Sequence, residues 1–198
     1  RNVIMFKRST VIKSFGRVLH SDPDYLSSDW IHPISLSALP GYVTSEEEDE
    51  FDSFKERAFV VSNTLRPSSY ARAQSLDMTT RAVRELNLSN AEVFLGQLDD
   101  MVRSEVNEKY VDLLSRSRMI VTANPGGWEG DHRTFEALSS GGLVFVDRMF
   151  GAGLVDGVHC IFYDLDDYDG FKRKVEHFIK DEQGIFDAYV IAKNGKEF

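Results

Sequence analysis

The sequence contains a single cysteine, Cys160, in 198 residues. An internal disulfide needs two, so a disulfide-stapled scaffold is excluded, as is a zinc ribbon built on paired cysteines. Basic residues are also in short supply. Lys plus Arg number 23 against 32 Asp plus Glu, a formal net charge of −9. A protein that coats nucleic acid needs a basic face, so no nucleic-acid partner is expected. No apolar run approaches the roughly 18 residues that cross a bilayer, so no transmembrane segment is expected. What the chain does have is 42% hydrophobic and 28% charged residues, with 14 glycines and five prolines in no repeat. That balance excludes a disordered tail or a collagen-like repeat, and fits one ordinary globular domain or one with a small part of another.

The chain opens on Arg1 with no basic-then-apolar leader, and a cytoplasmic location is the corresponding expectation. Apolar Val3-Ile4-Met5-Phe6 reads as a short strand. Pro23, Pro33 and Pro40 then punctuate residues 1–45, which read as an irregular lead-in of loop and small pieces of structure. Ser45 followed three residues on by Glu48 is a capping-box pattern. It places the acidic run Glu46 to Glu50 in a first helical turn, where the dipole favours negative charge. At the other end, Lys193-Asn194-Gly195-Lys196 is polar and is expected to fray.

From residue 58 the text becomes regular. Short apolar strands are expected at 58–62, 92–95, 119–122, 143–146 and 161–163. Helices are expected over 71–86, around Val106, Tyr110, Leu113 and Leu114, over 131–140, and around Phe171, Val175, Phe178 and Ile179. The order β-α-β-α-β-α-β-β-α, with continuously apolar strands, predicts an α/β fold: a doubly wound parallel sheet covered on both faces. In such sheets ligands bind outside the carboxyl ends of the strands. The loops at 63–70, 96–105, 123–131 and 147–158 are therefore the places to look.

One of these loops stands out. Asn124-Pro125-Gly126-Gly127-Trp128-Glu129-Gly130 joins a strand to a helix that Gly141-Gly142 closes. Glycines let backbone approach a ligand closely, and the helix start offers free N–H groups and positive potential to an anion such as a diphosphate. Asp131 is the expected N-cap. Arg133, in the first turn, can reach the same anion with a forked donor. Glu136 lies three residues on; a carboxylate there suits a vicinal diol such as a ribose better than a phosphate. Phe135 and Leu138 are expected to face the core. The same residues also suit a plain turn followed by an Arg133–Glu136 ion pair on a helix surface. The glycine spacing is neither GxGxxG nor GxxxxGK[ST], so neither a nicotinamide fingerprint nor a P-loop is supported.

Tyr110, Leu114, Ser117, Pro125, Glu129, Gly130, Arg133, Glu136, Ala137 and Gly141 together resemble a recurring pattern of GT-B glycosyltransferases, group 1 and exostosin-like members, in their carboxyl-terminal nucleotide-sugar-binding half. The resemblance implies a Rossmann-like donor-binding half of a GT-B fold over residues 46–198. Residues 1–45 would then be a remnant of, or linker from, an amino-terminal acceptor domain. It further implies Glu136 as the donor ribose ligand and Arg133, with Gly127 and Gly130, at the donor diphosphate. Glu129, Asp131 and His132 would lie on the sugar side. Phe6-Lys7-Arg8 and His32-Pro33-Ile34-Ser35 look like the segment before the donor domain. Arg66 and Arg72 are similar to basic residues that approach phosphate in the first donor-domain unit, and Leu154 to His159 to the loop that ends the donor site. The chain departs from the family in one spacing: six residues separate Glu129 from Glu136, where retaining group 1 members have seven, so no stereochemical outcome follows.

The remaining constellations are weaker. None of the five histidines forms HExxH or an i, i+4 metal pair. His159 near Asp156 suits either a site or a loop–strand junction. Asp164-Leu165-Asp166-Asp167 suits either a DxD-type metal site or a helix cap, and the resemblance implies no metal and no cofactor. Trp128 suits either stacking on a sugar or base, or anchoring the loop.

The resulting expectation is an enzyme, a hexosyl- or pentosyltransferase, with this chain as an incomplete fragment or reduced form. It would move a sugar from a nucleotide diphosphate sugar to a glycan or other hydroxyl acceptor. The alternatives are a non-catalytic Rossmann-like binding or interaction module descended from a transferase, and a nucleotide-sugar epimerase. No catalytic residue is assigned, because a general base would normally come from the acceptor half.

Overall fold

The computed structural model describes residues 5–7, 13–14, 17–18, 31–33, 51–57, 61–63, 69–88, 91, 108–124, 132–148 and 153–198. Among them the strands are β1 (Met5–Lys7), β2 (Lys13–Ser14), β3 (Arg17–Val18), β4 (Ile31–Pro33), β5 (Val61–Asn63), β6 (Met119–Thr122), β7 (Leu143–Asp147) and β8 (Ile161–Tyr163). The helices are α1 (Phe51–Glu56), α2 (Tyr70–Glu85), α3 (Glu108–Ser115), α4 (His132–Ser139), α5 (Tyr168–Lys180) and α6 (Glu182–Glu197). β1 pairs with β4 in parallel and β2 with β3 antiparallel. The main sheet runs β5-β6-β7-β8, every pair parallel.

β6, β7 and β8 are buried along their whole length, as strands covered on both faces must be. Their side chains alternate between two cores. Met119, Val121, Leu143, Phe145, Ile161 and Tyr163 join residues of α1, α2, α5 and α6 in one cluster. Ile120, Val144, Val146, Cys160 and Phe162 join Tyr110 and Leu114 of α3 and Ala137 and Leu138 of α4 in the other. The sheet is thus doubly wound, as its sequence pattern predicts.

Boundaries at 119–122 and 161–163 coincide with expectation, and the helices expected over 71–86 and 131–140 are α2 and α4. α4 closes at Gly141, whose φ of 72° is the left-handed conformation that glycine adopts without strain. The capping box at 45–48, the strand at 92–95, the loop at 96–105 and most of the lead-in lie outside the described residues.

One expectation is corrected. Lys193 to Lys196 do not fray: they lie in α6, a helix the expected element order lacks. Ala188, Ile191 and Ala192 bury one face of it. Its two glycines mark close approaches rather than breaks. A Cβ on Gly184 would collide with the His177 carbonyl of α5, and one on Gly195 with the His159 carbonyl and Leu138.

Candidate functional site

The parallel sheet brings the carboxyl ends of β5, β6 and β7 to one edge, and α2 and α4 follow β5 and β6 in the chain. Ser69 caps α2: its Oγ accepts from the Arg72 backbone N–H at 3.4 Å. One turn further, Ser75 is fully buried and hydrogen-bonds the Tyr163 hydroxyl at 2.7 Å. That hydroxyl also donates to the Thr122 carbonyl at 2.8 Å. The start of α2, the end of β6 and the end of β8 are therefore tied through one phenol. Burial, helped by the charge of Asp147, holds the Tyr163 proton on well above the usual phenol range.

Asp147 ends β7 and is only 9% exposed. Its Oδ1 accepts from the Asn124 backbone N–H at 2.7 Å and from Asn124 Nδ2 at 2.9 Å. Asn124 stands two residues past β6, where the glycine-rich loop begins. Burial pushes the Asp147 carboxyl up to about 7 from its ordinary 3.8, against the opposing pull of the two Asn124 hydrogen bonds and the Arg72 guanidinium.

On the far side of the loop, His132 opens α4, Arg133 follows in the first turn half-buried, and Glu136 lies one turn on with 8% of its surface exposed. Glu136 is thus buried rather than set on a solvated helix face. Leu138 is buried as expected, while Phe135 is half-buried and packs on the same cluster. Among the sequence-derived site residues, Arg72, His132, Arg133 and Glu136 fall at the starts of α2 and α4. Arg66, Gly127, Glu129, Gly130 and Asp131, with Trp128, lie outside the described residues.

Of the weaker constellations, those around His159 and Asp164 make structural contacts. The His159 Nδ1 accepts from the Val155 N–H at 3.2 Å, and its ring packs on Phe198. Asp156 accepts from the Phe162 N–H at 2.7 Å. Asp167 caps α5 through the Gly170 N–H, and Asp164 pairs with Arg148 at 3.7 Å. No cluster of His, Cys, Asp or Glu suited to a metal ion occurs among the described residues. Among them no helix is long and apolar enough to cross a membrane. Cys160 is fully buried; burial and then the charge of Asp156 push its thiol up to about 12.

The residues that sequence reasoning missed are Asn124, Asp147 and Tyr163. The available signal was positional: an Asp closing an apolar strand, at the head of a loop already marked for attention.

A family described as glycosyl transferase-like matches residues 89–198, which contain α3, α4, α5, α6 and β6 to β8. The structure is similar to that of HepE (Alr3699) from Anabaena in complex with UDP-glucose, at 13% identity and a TM-score of 0.51, covering 84% of this chain and 51% of that one. It is similar to a glycosyltransferase from Rickettsia africae, at 11% identity and a TM-score of 0.56, covering 85% and 52%. It is also similar to TarM, at 12% identity and a TM-score of 0.56, covering 86% and 36%. The chain thus spans about half the length of the first two and about a third of the last. Among curated proteins none matches this chain. With its match over more than half its length and its parallel doubly wound sheet, the chain belongs to the glycosyl transferase-like family and forms a Rossmann-like, carboxyl-terminal half of GT-B type.

Proposed function

We propose that this chain supplies the donor-binding half of a glycosyltransferase that moves a sugar from a nucleotide diphosphate sugar to a hydroxyl acceptor. The observation that carries the reading is a buried carboxylate, Glu136, one turn behind a half-buried guanidinium, Arg133, at the start of a helix on the carboxyl edge of the sheet. A carboxylate so placed accepts two hydrogen bonds from a ribose diol. Backbone N–H groups and Arg133 complement a diphosphate, with Arg72, Arg66, Gly127 and Gly130 around it. Glu129, Asp131 and His132 would face the sugar. The family match and the UDP-glucose bound by HepE support the reading.

In the transfer, the bond from the anomeric carbon to the diphosphate oxygen breaks. The bond from that carbon to the acceptor oxygen forms, and the acceptor proton leaves. Charge grows on the departing diphosphate, and fixed donors aimed there lower the barrier electrostatically. The residues before about 46 would belong to the side that presents the acceptor and its base. Calorimetric titration with UDP, GDP and ADP tests the reading. Micromolar to low-millimolar binding of one of them is expected, weakened at least about tenfold by Glu136→Ala, on the order of a lost charged hydrogen bond. Binding of none of them, or binding indifferent to Glu136, would favour a non-catalytic module.

A further inference from the structure

We infer that the hydroxyls of Thr122 and Thr134 form an internal water site that joins the end of β6 to the first turn of α4. The site stands whatever the carboxyl edge binds, and it ties to the sheet the helical turn that carries Arg133.

Thr122 is the last residue of β6 and Thr134 the third of α4, and both are 0% exposed. Among the described residues neither Oγ1 has a hydrogen-bond partner. The fold sets the two in one layer. β6 and β7 are parallel, and α4 follows the first, precedes the second and packs on both. It therefore runs back against the strands, and its start lies level with their carboxyl ends. Side chains alternate along a strand, so Thr122 stands on the same face as Ile120. Ile120 shares a cluster with Ala137 and Leu138, which follow Thr134 by three and four residues and so lie on its side of the helix. One step from Ile120 towards the carboxyl edge is Thr122. One turn from Ala137 and Leu138 towards the helix start is Thr134, and the tilt of helical Cα–Cβ bonds leans its side chain the same way. The two threonines thus form a polar rung above an apolar cluster, with Val146 beside Thr122 across the strand pair.

A buried hydroxyl left without a partner carries its full desolvation penalty. Each hydroxyl has one proton to give and two lone pairs to fill, so the occupant of the rung must both donate and accept. Water does both and carries no charge. A cation is disfavoured by the positive potential of a helix start. An anion would have to shed its hydration beside Ile120, Val144 and Val146. Buried waters typically make about three hydrogen bonds to polar groups that are otherwise unsatisfied. Two come from the threonines, and the backbone N–H groups of a first helical turn, which have no partner within the helix, can supply another. The hydroxyls, rather than the methyl groups beside them, then hold strand to helix at this level.

The test pairs a crystal structure of the whole chain, at a resolution that shows ordered water, with denaturant titration of Thr122→Val, Thr134→Val and the double variant. One water within hydrogen-bond distance of both Oγ1 atoms is expected. Each valine keeps the branched shape and removes the hydroxyl, and is expected to lower the folding equilibrium constant about two- to tenfold, the net worth of one hydrogen bond. The double variant is expected to lose less than the product of the two single losses, because both substitutions dismantle the same water site. Should a valine variant not fold, Thr122→Ser and Thr134→Ser keep the hydroxyls, and crystals of both are expected to retain the water. Valine variants as stable as the wild type or more so would overturn the site, since hydroxyls with no occupant to bind gain from removal. Losses that multiply independently, an ion in place of the water, or a wild-type or serine-variant crystal structure without a water reaching both oxygens would overturn it as well.

Discussion

Asp147 has a consequence for stability. Its carboxyl sits at about 7 in the folded chain against an ordinary 3.8, so between those values the native state holds a proton that the unfolded chain has released. By linkage its contribution is full below about pH 4 and is lost as pH rises through about 7. The gap corresponds to about 4 kcal/mol, at about 1.4 kcal/mol per pH unit. Thermal melting of the wild type is expected to fall from pH 5 to pH 8 relative to Asp147→Asn, whose dependence lacks this component. Equal pH slopes for the two proteins would contradict the assignment. At this scale the sequence marked Arg133 and Glu136 as candidates, because residue types there repeat a known pattern. It was not legible at Asp147, because burial and the meeting with Asn124, 23 residues away, arise only when β6 and β7 pair.

Among the elements, those with a strong apolar period or a continuous apolar run were readable, and β6, β8, α2 and α4 fall where the pattern puts them. α6 was not, for a physical reason. Gly184, Gly195 and the polar residues at 193–196 weaken the local helix signal, while tertiary contact makes those glycines necessary. Gly195→Ala separates the two effects. In a solvated helix it would stabilise by up to about 1 kcal/mol. Here the added Cβ meets the His159 carbonyl and Leu138, so a net destabilisation of about 1–3 kcal/mol is expected by denaturant titration. A stabilised variant would contradict the packing of α6 against the turn before β8.

For the whole molecule, the alternation of Leu143, Val144, Phe145, Val146 between two cores makes β7 the shared wall of both. Phe145 is fully buried and packs edge-on to Phe171 at 5.8 Å and to Phe178 at 6.0 Å. Phe145→Ala is expected to cost about 3–5 kcal/mol in chemical denaturation, whereas an exposed strand residue would cost little. The layered α/β class was legible because short apolar strands alternate with amphipathic helices. The position of the candidate site followed from the rule for carboxyl edges. The ties that shape that edge, from Tyr163 to Ser75 and Thr122, join residues 88 and 41 positions apart and leave no local trace.

That carboxyl edge is where a nucleotide is held if the chain is a donor-binding half. The direct measurement is amide chemical-shift mapping of the labelled chain titrated with UDP, GDP and ADP. Saturable shifts from one of them are expected to centre on Thr122 to Glu136, Asp147 and the start of α2 around Arg72. Shifts centred instead on the amino ends of the strands, around Arg118 and Gly142, or no saturable shifts with any of the three, would contradict it.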